Sequence, residues 1–300
     1  MKRILVIDGG GLRGFIPLQV LQRIEERTGR PLWETFDLVV GTSVGAILGG
    51  LVASGALTAH DIAALMDEAA PRMFTRRQWP LLPKYSRQPF EEAWRAEVGS
   101  IRLGDCTTTL MTTAVNLCDG RTHYFKSDDP ADAEMPLEDA VAFSFAAPLF
   151  FGGIPDKKRK AVWLDGGTGI DNCPILEALY EVIHRGWLAE EDGVHILSLG
   201  CGFIREGMPY KRASRKAGRN VREILAFMKP TEGGMARQQS VDSRVSLSHR
   251  VAEFLPQLGM QRLDVQISGE LDKLDGVKYI GEYKKLGERL AASVDLSPLQ

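Results

Sequence analysis

The sequence predicts an α/β protein with a mostly parallel sheet, and three observations indicate it. Strand-like and helix-like runs alternate along the chain. The first strand-like run, Ile4 to Ile7, is continuously apolar, which is typical of a strand covered by helices on both faces. Gly29 and Gly55 stand where helices should end. No repeat, low-complexity tract or composition break marks a linker, so we expect a single domain over residues 1–300.

Apolar periodicity gives the expected elements in chain order. The expected strands are residues 3–8, 36–40, 107–117, 123–126, 161–165, 194–199 and 263–268. The expected helices are residues 16–28, 44–54, 59–70, 90–98, 137–146, 174–185, 221–227, 236–254 and 277–292. Asp119-Gly120 between two strand-like runs predicts a hairpin, and Pro174 suits a first helical turn.

Composition indicates an ordinary soluble enzyme. The formal charge of −2 gives no reason to expect a nucleic-acid partner. The four cysteines lack metal-ligand spacing, which predicts reduced thiols, no metal site and no cofactor built on them. The first apolar run is too short for a signal peptide, and the small-residue stretch 44–54 is too short to span a bilayer. We expect a cytoplasmic protein with peripheral contact, if any, at the inner membrane face.

A strand running into Gly41-Thr42-Ser43-Val44-Gly45 and then a helix has the pattern of a nucleophile elbow. Gly41 and Gly45 are expected there because a Cβ would collide with the neighbouring strand and helix. Ser43 would sit at a helix N-terminus, which favours developing negative charge. A serine hydroxyl alone is a poor nucleophile, so it needs a base and oxyanion donors.

The first strand ends in a glycine-rich segment that can supply those donors. Uncovered backbone N–H groups before a helix can converge on a tetrahedral oxyanion, and one such donor is commonly worth about 10²–10³ in rate. An arginine in the segment would add charge or fix the loop. The candidate oxyanion-hole residues are Gly9, Gly10, Gly11, Arg13 and Gly14.

Two other interpretations of this segment stay open. Gly9-x-Gly11-x-x-Gly14 also fits the dinucleotide fingerprint, so the chain could be a nucleotide-binding switch. A dinucleotide-binding fold requires an acidic residue at the end of the second strand, whereas Asp37 lies at the beginning of that strand. No Lys-Ser/Thr follows the glycines as a P-loop requires. The remaining interpretation is a glycine turn with no chemical role.

The base is either a histidine or a carboxylate. His60, His123, His184 and His195 have no catalytic motif around them, and His249 is the best histidine candidate for a triad.

Asp165 is the clearer candidate base, since it ends an apolar strand and precedes Gly166 and Gly167, which allow close approach. If that strand is parallel to the one ending at Gly41, both ends meet at one edge of the sheet and Asp165 reaches Ser43 directly. A free aspartate, with pKa about 3.9, is a weak base, so burial or a short hydrogen bond should raise its proton affinity. The alternative is that Asp165 only caps a turn through Gly167.

In this order, the segments at 8–14, 41–45 and 165–167 resemble the oxyanion, nucleophile and acid motifs of the patatin-like phospholipase family. Residues 146–151 are similar to its Ala-Ala-Pro segment, and residues 171–174 resemble its Asn-Pro stretch, with cysteine in place of the usual asparagine at 173. The motif-bearing core spans about residues 4–205. Residues 206–300 carry no family motif, and we expect a C-terminal helical part whose role is open.

The resemblance implies a three-layer α/β/α fold and a serine lipid acyl hydrolase of phospholipase A or lysophospholipase type, with no obligatory metal. Ser43 and Asp165 would form the catalytic dyad and act through an acyl-serine intermediate. An acyltransferase or thioesterase would use the same dyad, and a relative that only binds lipid would keep the pocket. The implied partner is a membrane phospholipid or another acyl lipid.

Two basic stretches bear on membrane contact. Residues 72–85 interleave basic, aromatic and leucine side chains, which predicts either a lid or membrane contact, or packing under a long loop. Residues 211–216 form a basic run that is either a solvated face or a site for anionic lipid. The sequence does not predict the oligomeric state.

Overall fold

The computed structural model describes residues 1–77, 83–205 and 235–300. The strands are β1 Lys2–Ile7, β2 Leu38–Gly41, β3 Thr109–Asn116, β4 Arg121–Lys126, β5 Ile154–Asp156, β6 Ala161–Asp165, β7 Val194–Leu199 and β8 Leu258–Leu263. The helices are α1 Phe15–Thr28, α2 Leu32–Thr35, α3 Val44–Ala53, α4 Ala59–Met73, α5 Gln88–Glu97, α6 Leu137–Ser144, α7 Ile175–His184, α8 Met235–Ala252 and α9 Ile280–Ala291.

Within the described residues the strands form one sheet in the order β5-β6-β3-β2-β1-β7-β8, with β4 also paired to β3. Strands β3, β2, β1, β7 and β8 are parallel to their neighbours in this order. Strands β4 and β6 both run antiparallel to β3, and β5 runs antiparallel to β6. The predicted mostly parallel sheet is confirmed, and the hairpin predicted at Asp119-Gly120 joins β3 to β4.

Two apolar cores, one on each face of the sheet, create the three layers. Leu5 and Ile7 of β1 belong to the larger core, which includes buried side chains of α1, α3, α4, α5, α6 and α9. Ile4 and Val6 point to the smaller core, which includes α7 and a side chain of α8. Because both faces are covered, β1 is apolar at every one of these positions. The three-layer α/β/α fold is confirmed.

We expected a helical C-terminal part. This part also contributes strand β8 to the sheet, beside β7. The predicted strand at 263–268 is wrong by five residues, since β8 ends where that strand should begin. The sequence Leu-Gly-Met-Gln-Arg-Leu has neither an apolar run nor strict alternation, so periodicity could not detect it. Helix α9 packs along α1.

Two further differences are local. The expected helix at 277–292 starts as a 3₁₀ turn, Val277–Tyr279, before α9 begins. Strand β5 has three residues including Pro155, which is too short for a periodic signal. The helix predicted at 221–227 and the basic run at 211–216 lie outside the described residues. None of the described helices is both long and apolar enough to cross a bilayer.

Candidate active site

Ser43 occupies a strained turn between β2 and α3. Its backbone has φ 57° and ψ −121°, in the left-handed half of φ space that residues with a side chain rarely adopt. The turn is tight because a Cβ at Gly41 would lie 2.2 Å from the carbonyl oxygen of Gly45, and one at Gly45 would lie 2.2 Å from that of Ile7. Both glycines are therefore required sterically, as the elbow pattern predicts.

The strained turn is held by Ser144, which the sequence did not single out. The backbone N–H of Ser43 donates to Ser144 Oγ at 2.9 Å, and Ser144 is fully buried at the end of α6. Because a buried N–H without a partner is costly, this hydroxyl stabilises the conformation that presents the Ser43 side chain. No local motif marks Ser144, since the contact spans 101 residues of sequence.

The structure brings Ser43 and Asp165 into direct contact. The hydroxyl of Ser43 donates to Asp165 Oδ2 at 2.6 Å. The other carboxylate oxygen, Oδ1, accepts the backbone N–H of Gly167 at 2.7 Å. The turn-capping role and the contact with the serine are thus not alternatives, because each uses a different oxygen.

Asp165 reaches Ser43 although its strand is not parallel to β2, so the parallel arrangement that we considered is not the one found. Gly41, the last residue of β2, pairs with Thr112, so β3 extends four residues beyond β2, from 113 to 116. Strand β4 occupies one edge of β3, and β6 pairs with residues 114–116 on the edge that β2 has vacated. An antiparallel β6 therefore ends at Asp165 immediately past the end of β2, where Ser43 lies.

The acid motif packs as closely as its glycines suggest. A Cβ at Gly166 would lie 2.0 Å from Thr113 Oγ1, and one at Gly167 would lie 2.8 Å from Asn172 Oδ1. The Asp165 backbone N–H donates to the carbonyl of Ala146 at 3.0 Å, which joins the Ala-Ala-Pro segment to the acid. Asp165 itself is buried, with 6% of its surface exposed.

Some glycines of the glycine loop pack against neighbouring residues, and others line the pocket. The N–H of Gly9 donates to the Asn172 carbonyl at 2.9 Å, so this amide is directed to residue 172. Gly14 packs against Val44, where a Cβ would lie 2.4 Å from Cγ2. Gly10 and Gly11 line the pocket that contains Ser43, and among the described residues their amides have no hydrogen-bond acceptor.

Val44 adds an amide that our sequence interpretation did not include. It is the first residue of α3 and lines the same pocket, and its N–H donates to no acceptor in the described part of the chain. The first amides of a helix have no partner within the helix. Its place directly after the elbow serine is the sequence signal that could have identified it.

Arg13 fixes the loop and does not line the pocket of Ser43. Its guanidinium donates to Asp272 Oδ1 at 2.7 Å and to the carbonyl oxygens of Gly10 and Gly202. The side chain is buried, and so is Asp272. The expectation that Arg13 adds charge at the oxyanion is therefore wrong, and the loop-fixing alternative agrees with the contacts.

Behind the glycine loop lies an ionic cluster, which we define as Asp8, Arg13, Arg262, Asp264 and Asp272. Arg262, on β8, makes a bidentate contact with Asp8 at 2.9 and 2.6 Å and a third contact with Asp264 at 2.7 Å. Burial alone lowers the pKa of Arg262, but the charges of Asp8 and Asp264 raise that pKa well above its ordinary value. Arg262 remains a cation.

A second C-terminal arginine holds the segment that follows the acid motif. Arg244 on α8 contacts Asp171 Oδ1 at 2.8 Å and donates to the Cys173 carbonyl at 2.9 Å. Asn172 lies between these residues and donates from its side chain to the Gly9 carbonyl at 3.3 Å. The C-terminal part thus reaches the site from two directions, which its lack of motifs did not indicate.

Ser43 and Asp165 lie at the polar end of an apolar pocket of about 220 Å³. Its walls come from α3, α4, the 145–151 segment and Leu274. Ile47, Met66, Met73, Phe145 and Phe151 are among these apolar side chains. All five histidines are described, and none of them lines this pocket. The arrangement suits an acyl chain with its carbonyl beside Ser43.

The basic stretch at 72–85 divides into packed and exposed residues. Phe74 and Tyr85 make an edge-to-face contact, with ring centroids 5.1 Å apart, in the core beside the pocket. Arg76 and Arg77 are exposed. Residues 78–82, which include the tryptophan and two leucines of this prediction, lie outside the described residues.

Comparison with known proteins identifies the family. A model of the patatin-like phospholipase family matches residues 5–179, which is more than half of the chain. The chain is a patatin-like phospholipase family member. The match covers the glycine loop, the elbow, the acid motif and the segment around Asn172.

This patatin-like chain is similar to curated relatives from bacteria. It is 31% identical over 216 residues to the cGAMP-activated phospholipase of Pseudomonas aeruginosa, covering 68% of this chain and 63% of that protein. It is 30% identical over 217 residues to the cUMP-AMP-activated phospholipase of Escherichia coli, covering 69% and 67%. The chain spans about three fifths of the length of several of these relatives.

Among solved structures, VipD from Legionella pneumophila superposes with a TM-score of 0.48 at 15% identity, covering 97% of this chain and 67% of that one.

Proposed function

We propose that this chain is a serine lipid acyl hydrolase that cleaves acyl esters of membrane phospholipids. The observation that carries the proposal is the 2.6 Å contact between Ser43 Oγ and Asp165 Oδ2 at the polar end of an apolar pocket. Residues 1–300 would act as one catalytic domain, because β8 and Arg262 of the C-terminal part join the sheet and the glycine loop.

Acylation of the serine is the first step. Asp165 takes the hydroxyl proton as Ser43 Oγ attacks the ester carbonyl carbon, and the carbonyl oxygen becomes an oxyanion. The amides of Gly10, Gly11 and Val44 stabilise this charge, and each donor is commonly worth about 10²–10³ in rate. The bond to the leaving alcohol then breaks, Asp165 returns the proton to that alcohol, and the acyl group stays on Ser43.

Deacylation uses the same groups. Asp165 takes a proton from water, the hydroxide oxygen attacks the acyl-serine carbonyl, and the fatty acid leaves as the proton returns to Ser43 Oγ. An acyltransferase would admit an alcohol in place of water, and a thioesterase would start from a thioester. Product analysis with and without added glycerol distinguishes transfer from hydrolysis.

Phospholipid as substrate and the cytoplasm as location have separate support. Relatives of this chain are named as phospholipases, and the apolar pocket suits an acyl chain. The four cysteines are free thiols, which supports a reducing compartment such as the cytoplasm. Fatty acid and lysolipid release from phosphatidylcholine vesicles, compared with release from triacylglycerol emulsions, tests the substrate class.

Labelling with a fluorophosphonate tests the dyad directly. We expect the wild type to label, S43A not to label, and D165N to label at least about 10²-fold more slowly, because proton removal by a positioned base contributes 10²–10⁴. S54A and D129N are matched controls, since Ser54 lies at the far end of α3 and neither Ser54 nor Asp129 lines the pocket of Ser43. Both should label like the wild type.

Single replacement of each histidine by alanine should leave labelling intact. Loss of labelling in any one of these variants would favour a triad and contradict the dyad.

Ligand control is the second candidate, and the relatives favour it. Two of them are named for activation by cGAMP and by cUMP-AMP. A nucleotide would then act as a regulator of the hydrolase, and not as the occupant of the glycine loop, whose neighbouring pocket is apolar. The vesicle assay with and without each cyclic dinucleotide tests whether such control extends to this chain.

A further inference from the structure

Leu149 is an exposed leucine at the mouth of the pocket. Its side chain is 77% exposed, and the residue lines the pocket that holds Ser43. Its backbone has φ 69°, in the left-handed region that residues with a side chain disfavour. A single exposed leucine is ordinary on a protein surface, but one whose backbone is also strained at a site entrance suggests a function.

Two backbone hydrogen bonds anchor the loop around Leu149 to the segment at residues 84 and 85. The Leu149 carbonyl accepts the Lys84 N–H at 3.0 Å, and the Phe150 carbonyl accepts the Tyr85 N–H at 2.8 Å. The next two side chains, Phe150 and Phe151, point inward and pack against the aromatic core around Tyr85.

Backbone hydrogen bonds connect this leucine to a cationic segment of the chain. Arg76 and Arg77 are exposed and form no ion pair within the described residues, and the Arg77 N–H donates to the Lys84 carbonyl at 2.9 Å. Lys84 Nζ lies 5.4 Å from the centroid of the Phe150 ring and is paired with Asp275. Because Asp275 offsets the charge of Lys84, the net positive charge of this surface comes from Arg76 and Arg77, although the whole chain has a formal charge of −2.

We propose that Leu149, Arg76, Arg77 and Lys84 form a docking rim that seats the chain on a bilayer containing anionic phospholipids. Leu149 would enter the acyl layer beside the pocket mouth, while the guanidinium groups contact lipid phosphates. We infer an anionic bilayer as the partner because the rim is positively charged and is continuous with the pocket. The inference rests on the proposed lipid hydrolase function and names the surface through which that site meets its substrate.

Vesicle sedimentation of the full chain tests the rim without requiring catalysis. The S43A variant is mixed with vesicles of phosphatidylcholine alone or of phosphatidylcholine and phosphatidylglycerol in equal parts. We expect binding to the anionic vesicles, and a loss of about tenfold in partition for both L149D and L149G, because one inserted leucine contributes that order of affinity. Glycine suits the positive φ, so L149G should keep the thermal midpoint of its parent.

The charge contribution is tested separately. The double variant R76Q/R77Q should bind anionic vesicles about 25-fold more weakly and with less dependence on salt, since each basic residue near an anionic surface contributes roughly fivefold and the two factors multiply. It should hydrolyse a soluble short-chain ester like the wild type. F254D is the control for exposed apolar area. Phe254 is 82% exposed and precedes the start of β8, whereas Ser43 follows the end of β2, so the two residues lie at opposite ends of the parallel strands.

Equal binding by L149D and its parent, equal loss in F254D, or equal binding to both vesicle types would overturn the rim. Hydrolysis of the soluble ester without any vesicle binding would also overturn it while leaving the hydrolase intact. Absence of hydrolysis in the wild type would instead count against the proposed function, whatever the vesicles show.

Discussion

The two sides of the glycine loop differ in kind. In front of it lies the apolar pocket with Ser43 and Asp165 at its end, and behind it lies the ionic cluster of Asp8, Arg13, Arg262, Asp264 and Asp272. The charged groups bond the loop from behind, so the amides of Gly10 and Gly11 keep their direction, and none of the five cluster side chains lines the pocket. Positioning and substrate binding are thereby assigned to different sets of side chains.

Replacing Arg262 on the ionic side of the loop should have the largest effect, and that effect is on stability. R262M leaves two buried carboxylates, Asp8 and Asp264, without their shared cation, and we expect a loss of about 3–5 kcal/mol in the free energy of unfolding. Denaturant unfolding measures it. R289M is the control, since Arg289 is exposed on α9, and it should change stability by less than about 0.5 kcal/mol. Similar curves for both variants would remove the ionic cluster from the positioning role.

Ser144 tests whether the elbow, like the glycine loop, is held from behind. S144A deprives the Ser43 N–H of its acceptor, and we expect kcat/KM for a soluble ester to fall about tenfold, within the 1–3 kcal/mol range for a buried donor without a partner. S127A is a matched control, because Ser127 Oγ accepts the Leu110 N–H at the same 2.9 Å but does not line the pocket.

S127A should lose stability without losing activity. If both variants lose activity equally, Ser144 has no specific relation to the nucleophile.

Filling the pocket tests its role as the acyl site. Ala70 on α4 lines the cavity, and A70F would place a phenyl ring inside it. We expect the ratio of kcat/KM for a long-chain ester to that for a butyryl ester to fall about tenfold, since a few methylenes excluded from an apolar pocket are worth 1–3 kcal/mol. A131F, on an exposed turn, should leave the ratio unchanged. An unchanged ratio in A70F would place the acyl chain elsewhere.

The smallest expected effect concerns Asp275, beside the pocket-lining Leu274. Burial alone raises the pKa of Asp275, but hydrogen bonds from Lys84 and Tyr85 lower that pKa below its ordinary value. The resulting stability is therefore fully present above the unfolded pKa of about 3.9 and is lost as pH falls through the lower folded pKa. D275N should reduce the free energy of unfolding by about 1 kcal/mol at pH 7.

The difference between D275N and wild type should shrink below about pH 4. Denaturant titrations at several pH values measure this difference in the free energy of unfolding. A difference that stays constant down to pH 2 would show that it does not come from the ionised Asp275 carboxylate.

The candidate site was predictable where its chemistry depends on short segments. The glycines around Ser43 and Asp165 report close backbone approach, and the structure shows the Cβ collisions that they avoid. The contributions of Ser144 and Arg262 were not predictable in this way. Each acts on a residue more than 100 positions away, at 101 for Ser144 and 254 for Arg262, and neither lies in a motif.

The sequence alone determined the layered α/β fold, the strained serine turn and the carboxylate at a strand end, because apolar periodicity and glycine spacing are local properties of the chain. Tertiary structure alone decided how that carboxylate reaches the serine and what holds the glycine loop. The overhang of β3 past β2 lets an antiparallel strand deliver Asp165, and β8 brings Arg262 to Asp8. Strand register and edge pairing depend on the whole sheet, so no single segment encodes them.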